Sequence, residues 1–252
     1  MVPCPVAKSE TSFCDAVESS GSRLAYTTPS NQFPLGLVMA KEVRYRLIEW
    51  AERNRSFIIE DDYCYELNHR NKPQPALQTL DNHGRVVYMG TFSKSLSPAL
   101  RVNYLILPPD LLDMWRSSFN DAYPAVNWLT QEVLARYLNT DHYNRHIRRI
   151  QLRNRRKYDA LKSALVRFMG NKIDVIEGGA GLHMLVNVKD GRPQAELVML
   201  AQEAGVQVYG TDKYWIENPH PLASCILIGF SAISEDDIVP GIRALADAWF
   251  GN

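Results

Sequence analysis

Between residues 23 and 109, short β-type runs alternate with a helix-periodic stretch, and this rhythm limits the possible folds more than any single motif. The runs are "RLAYTT", "SFIIED", "RVVYMGT" and "RVNYLILPP". The second shows little alternation of apolar and polar residues, as expected of a strand covered on both faces. Between the first two, "AKEVRYRLIEWAERN" sets Val43, Leu47, Trp50 and Ala51 at helical spacing with charges elsewhere, an amphipathic helix. Pro29 and "SNQFPLG" close the first run, and prolines stop the fourth. Strand, helix, strand in this order predicts an α/β architecture with a mostly parallel sheet. Ligands of such sheets bind at the carboxyl ends of the strands. The polar clusters "TTPSNQ", "EDDY" and "TFSK" follow the first three runs.

From about residue 111 the pattern changes. "PAVNWLTQEVLARYLN" and "HYNRHIRRIQLRNRRKYDALKSALVRF" are helical, the latter with a stripe of Ile147, Ile150, Tyr158, Leu161 and Leu165. After the glycine-rich "EGGAGLH", three strand candidates follow ("MLVNV", "VQVYG", "CILIGFS"), then a final helix, "SEDDIVPGIRALADAWF". Three units result: a weakly patterned segment 1–22, a ligand-binding α/β unit 23–140, and a long helix with a smaller α+β unit 141–252.

The 252 residues suffice for a sizeable core. With 28 basic and 28 acidic side chains, no whole-chain field selects nucleic acid or anionic lipid. Cys4, Cys14, Cys64 and Cys225 form no C-x-x-C pair, which argues against a zinc site or a disulfide framework and fits a reducing cytoplasm. No segment has the uninterrupted apolar length of a membrane span, and the start lacks a secretory pattern. "RHIRRIQLRNRRK" holds seven cationic residues in thirteen positions, read as a solvated helix face because no aromatics interleave. His142 and His146 are spaced i, i+4, but Tyr143 stands where a zincin helix needs glutamate.

The strand-end clusters carry the chemistry. Lys94 is a solvated loop lysine or, if its ammonium is destabilised, an amine that attacks aldehydes. Thr91, Ser93 and Ser95 offer hydroxyls, and Arg101 a planar fork suited to phosphate. Asp61 and Tyr63, two apart on extended chain, share a side of the sheet end. A carboxylate can keep a pyridine nitrogen protonated, and a phenol can hydrogen-bond a ring oxygen. Amine, carboxylate, phenol, hydroxyls and arginine together match the needs of pyridoxal 5'-phosphate.

The segments "TPSNQFPLG", "EWAERNRSFIIEDDYCYEL", "GRVVYMGTFSKSLSPALRVNYLILP" and "HYNRHIRRIQLRNRRKYDAL" resemble the aminotransferase-like domain of MocR-type regulators of the GntR family, within the fold-type I pyridoxal-phosphate superfamily. The resemblance runs from about Arg23 to the C-terminus. It implies a partial fold-type I large domain followed by a smaller α+β domain. Lys94 would form the Schiff base, Asp61 would pair with the pyridine nitrogen, and Tyr63 would contact the ring oxygen. Thr91, Ser93 and Arg101 would hold the phosphate. Asn31 lies in the loop that approaches the ring, where histidine is common in relatives. Partners implied are an amino acid or amine and a second copy in a homodimer, the chain being expected to lack the regulators' DNA-binding domain. The activity implied is effector sensing or transamination; a degenerate domain without cofactor is the alternative. The family's N-terminal segment, with its phosphate turn and stacking aromatic ring, has no match upstream of Arg23. Asn103 stands where relatives usually carry glycine, and "CILIGFSAIS" has no arginine for a substrate carboxylate.

Overall fold

The computed structural model describes residues 1–4, 10–68, 74–122, 125–176, 178, 181–215 and 224–251. Helix α1 (Glu10–Ser19) precedes β1 (Leu24–Thr27), α2 (Lys41–Arg53), β2 (Phe57–Asp62), the single turn α3 (Leu77–Leu80), β3 (Val86–Thr91) and β4 (Asn103–Ile106). These strands form one sheet in the order β1-β2-β3-β4. β1 to β3 are mutually parallel and β4 is antiparallel to β3, so two of the three pairings follow the parallel expectation.

One face of this sheet is covered. Alternation along the strands turns Ala25, Ile58 and Val86 toward α2, whose Val43, Leu47, Ile48, Trp50 and Ala51 are buried against them. Segment 1–22 is more ordered than its weak patterning suggested: Phe13, Cys14 and Val17 of α1 join this core. A 3.6-residue period over so short a helix leaves too few apolar positions to stand out. The opposite face is open, with Leu24, Tyr26 and Leu105 each more than half exposed.

Next come α4 (Pro109–Phe119), α5 (Trp128–Leu138) and α6 (Asp141–Met169), a helix of 29 residues that spans about 44 Å at 1.5 Å per residue. Thr140 caps its start by accepting from the His142 N–H, and Gly170, with φ of 51°, ends it. Of the predicted stripe, Tyr158, Leu161 and Leu165 are buried, while Ile147 and Ile150 are only half-buried. The six arginines of the basic run are exposed, and Lys157 is buried with its ammonium on the Ser231 carbonyl at 2.8 Å.

The chain then forms β5 (Ile173–Ile176), β6 (His183–Val188), α7 (Gln194–Glu203), β7 (Tyr209–Gly210), β8 (Cys225–Gly229) and α8 (Glu235–Phe250). The second sheet has the order β5-β6-β8-β7, antiparallel throughout. Its core joins the last turns of α6 to α7 and α8 through Leu165, Met169, Val186, Leu197, Ile226 and Trp249. The indole of Trp249 donates to the Leu197 carbonyl at 2.9 Å. β5 escaped the sequence because its four residues lack the flanking prolines that mark β1 and β4. Among the described residues, no helix is long and apolar enough to cross a membrane.

Candidate functional site

β1, β2 and β3 run in one direction, so their carboxyl ends form a common rim. The segments leaving that rim carry Asn31, then Asp61 and Tyr63, then Lys94. At the end of β2, alternation sends Asp61 and Asp62 to opposite faces. Asp62 is buried against the helices, whereas Asp61 looks out on the open face, where its carboxylate accepts a short hydrogen bond from the Tyr26 hydroxyl.

Tyr63 turns off the strand to meet Asn31. Its hydroxyl accepts from the Asn31 Nδ2 at 2.8 Å and donates to the Asn31 carbonyl at 3.0 Å. The same Nδ2 reaches the Cys64 Sγ at 3.3 Å. Asn31 is 1% exposed, and its Oδ1 accepts nothing from the described residues. Burial raises Tyr63 and pushes the Cys64 thiol up to about 12, so both keep their protons at neutral pH.

The Lys94 segment is a tight turn off β3. Thr91 Oγ1 accepts from the Ser93 N–H at 3.1 Å, Phe92 N–H donates to the Val102 carbonyl at 3.1 Å, and Leu96 N–H to the Phe92 carbonyl at 2.9 Å. Phe92 and Val102 anchor it in an apolar cluster with Leu134 of α5. Lys94 itself is exposed and makes no hydrogen bond or ion pair with a described residue. Its charge acts on both Cys64 and His183.

Arg101 closes the short 3-10 turn Pro98–Leu100, with Ser97 capping that turn through the Ala99 N–H at 3.3 Å. Its φ of 52° is left-handed, a conformation costing a non-glycine residue roughly 1–2 kcal/mol. The guanidinium is exposed and free of described partners. Asn103 is exposed, begins β4 opposite Thr91, and has no positive φ, so nothing there requires glycine. The neighbour that does require one is Gly90, where a Cβ would come within 2.1 Å of the Tyr104 ring.

A buried ion pair props the rim from beneath. Arg44, expected on the solvated side of α2, is 0% exposed. Its guanidinium donates to the carbonyls of Met39 (3.0 Å), Pro75 (2.9 Å) and Pro29 (2.8 Å) and lies 3.8 Å from Glu60. Glu60 accepts from the N–H groups of Leu77 and Gln78 at 2.8 and 2.9 Å. Burial opposes both charges, lowering Arg44 and raising Glu60, and each partner counters that for the other. Arg44 thereby ties down both ends of the loop 29–39 that presents Asn31.

The second sheet and α6 complete the surroundings. His183 binds the Pro34 carbonyl through Nε2 at 2.8 Å; a carbonyl only accepts, so this nitrogen carries the proton. Burial lowers the His183 pKa, so the ring is neutral at physiological pH. Gly181, with φ of 95°, lies so near Asn31 that a Cβ would sit 2.7 Å from its Nδ2. Of "EGGAGLH", residues 177, 179 and 180 lie outside the described set. From α6, His146 Nε2 meets the Ser95 carbonyl at 2.9 Å, and Tyr143 and Gln151 bind Glu66 at 3.2 and 2.8 Å.

Asn31, Asp61, Tyr63 and Lys94 thus stand at or just beyond the strand ends, as their spacing predicts, and other side chains hold them there. Tyr26, Ser30, Arg44, Glu60 and Cys64 had no signal of their own, apart from their adjacency to "TPSNQ" and "EDDY".

No protein-family model matches the chain. It is 38% identical over 90% of its length to the HTH-type transcriptional regulator YhdI of Bacillus subtilis, covering 48% of that protein. It is 32% identical over 99% of its length to the probable rhizopine catabolism regulatory protein MocR of Rhizobium meliloti, covering 50% of it. The chain therefore spans about half the length of the curated relatives it matches. Among solved structures, the kynurenine aminotransferase of Pyrococcus horikoshii, in complex with PMP, superposes with a TM-score of 0.82 at 27% identity, covering 93% of this chain and 58% of the other. The chain is thus similar in sequence to HTH-type regulators, MocR among them, and its α/β structure matches that of solved aminotransferases.

Proposed function

We propose that this chain binds pyridoxal 5'-phosphate and senses an amino acid or amine as the effector domain of a MocR-type regulator. The observation that supports this most is the gathering of Lys94, Asp61, Tyr63 and Asn31 on one rim of three parallel strands, in a fold shared with an aminotransferase solved in complex with PMP. The residues fit the group: Lys94 and Arg101 are exposed cations without described partners, the amine and the phosphate-binding fork that the group requires. When bound, the cofactor supplies an electrophilic aldehyde and an electron-withdrawing ring.

Each residue then has a defined task. Lys94 offers the amine that captures the aldehyde. Asp61, held by Tyr26, keeps a proton on the ring nitrogen. Tyr63, steadied by the Asn31 Nδ2, turns its hydroxyl donor to the ring oxygen, and Thr91, Ser93 and Arg101 contact the phosphate. We assign these contacts to the unit 23–140 and a covering role to the unit 141–252. The open face of the first sheet supports self-association, with a homodimer the expected state.

The test is an absorbance spectrum of the chain mixed with pyridoxal phosphate, followed by borohydride and peptide mass analysis. A visible band and a reduced adduct on Lys94, both lost in Lys94→Ala, are expected; an unchanged band in that variant would falsify the assignment. Adding amino acids then separates the two activities. A spectral change without release of keto acid is the expected result, since "CILIGFSAIS" offers no arginine for a carboxylate. Stoichiometric or catalytic release would mark a transaminase instead.

A further inference from the structure

We propose that Asp62 is a positioning residue for this site: its carboxylate ties together the three segments that carry the cofactor contacts, and its protonation slackens the tie. This rests on the cofactor-binding reading above. Asp62 ends β2 between Asp61 and Tyr63, yet points away from both, into the interior, where it is 3% exposed. Its Oδ2 accepts from the Ser30 hydroxyl at 3.0 Å and from the Tyr88 hydroxyl at 3.3 Å. Ser30 immediately precedes Asn31. Tyr88 lies on β3, three residues before Thr91 and six before Lys94. One oxygen atom therefore links the Asn31 loop, the Asp61–Tyr63 corner and the strand that launches the lysine turn.

The other oxygen, Oδ1, is buried and has no hydrogen-bond partner among the described residues. A half-satisfied buried carboxylate is expensive to keep ionised. The groups facing it are mostly acidic or neutral: Glu60 on its own strand, Glu66 and Cys64 from the following turn, Tyr88 from β3 and Tyr104 from β4, with Arg44 of α2 as the cation in range. Burial, followed by repulsion from Glu60 and Glu66, outweighs the two hydroxyl bonds and carries the carboxyl to about 7. Near neutral pH Asp62 thus exchanges its proton. Ionised, it accepts two charge-assisted hydrogen bonds; protonated, Oδ2 remains an acceptor of ordinary strength. The proton has room on Oδ1, where it displaces no existing bond.

Substitutions separate the tie from mere bulk. Asp62→Asn keeps an oxygen for Ser30 and Tyr88 but cannot titrate, and Asp62→Ala removes both functions. The measurement is pyridoxal phosphate affinity by absorbance titration from pH 5.5 to 8.5, alongside hydrogen exchange of the cofactor-free chain over residues 29–37. In the unsubstituted chain, affinity is expected to weaken as pH falls through about 7, with lower protection in that loop when each exchange rate is divided by its intrinsic value at that pH. Asp62→Asn should lose that inflection in both readouts while retaining binding, and Asp62→Ala should bind about tenfold or more weakly at pH 8. Ser30→Ala should reproduce part of the Asp62→Ala loss. An Asp62→Asn chain that keeps the same inflection in loop exchange, or an Asp62→Ala chain that is folded by circular dichroism and binds as well as the unsubstituted chain, would overturn the proposal. Absence of any visible band in the unsubstituted chain would instead overturn the cofactor reading, and this inference with it.

Discussion

The two sheets solve the same problem to different degrees. The second is antiparallel and packs its apolar face on the end of α6, α7 and α8, with twenty of the described residues buried in one cluster. The first is parallel over β1 to β3, an arrangement normally covered on both sides, yet among the described residues α1, α2 and the single turn α3 cover it on one face only. Leu24, Tyr26 and Leu105 remain exposed on it or at its edge, and α4 buries none of its residues. The proposed site sits on the less complete sheet. What holds its rim is a set of buried polar ties rather than apolar burial: Arg44 with Glu60 beneath, and Asp62 between the strands. Each sheet should therefore respond to a different kind of substitution.

The largest effect is expected where the core is closed. Phe230→Ala, removing a ring 1% exposed against Tyr158, should cost about 3–5 kcal/mol in denaturant unfolding. If the cost is under about 1 kcal/mol, the second core is looser than its burial implies. On the first sheet, Arg44→Met leaves Glu60 buried without its partner and frees three carbonyls, a loss of roughly 3–5 kcal/mol. Adding Glu60→Gln should recover part of it, because the stranded charge is removed. Recovery of nothing would place the cost in the three carbonyl contacts instead.

Stability should also depend on pH through Asp62. The folded pKa of Asp62, about 7, exceeds its unfolded value of 3.8, so the native state retains a proton that the unfolded chain releases. Its contribution is fully present below about 4 and is lost as pH rises through about 7, which Asp62→Asn should flatten in a series of urea melts. At about 1.4 kcal/mol per unit, the swing is a few kcal/mol at most. The fold favours the proton while the Ser30 and Tyr88 bonds favour the charge, which is why stability and loop order should move in opposite directions with pH.

The smallest expected effect lies on the open face. Leu105→Ser should change unfolding stability by less than about 0.5 kcal/mol yet reduce self-association in sedimentation velocity. A large destabilisation would mean that this face is covered in solution.

Much of this was legible in the sequence, for stated reasons. Four strands, their order of appearance and α2 could be read because short apolar and aromatic runs stopped by proline or glycine alternate with one stretch of period 3.6. Asp61, Tyr63 and Lys94 could be picked out because strand ends in an α/β sheet gather polar residues. α1 was missed since ten residues carry little periodicity, and β5, as short as β1 and β4, lacks the prolines that follow those two. Arg44 was misplaced because a charged residue on an amphipathic helix is assigned to solvent by type, and nothing local reveals three carbonyls waiting to receive it. Lys157 was misread in the same way.

By itself, then, the sequence determined the alternation of strands and helices, the chemical types at the strand ends, and the kinship with MocR-type regulators. These depend on residues near each other in the chain. Only the tertiary structure decided that Asn31 reaches Tyr63 across 32 residues, that His183 reaches Pro34 across 149, and that the second carboxylate of "EDDY" turns inward to hold three segments at once. Hydrogen bonds between distant segments depend on sheet register and loop path, and neither is encoded in the local spacing of residues.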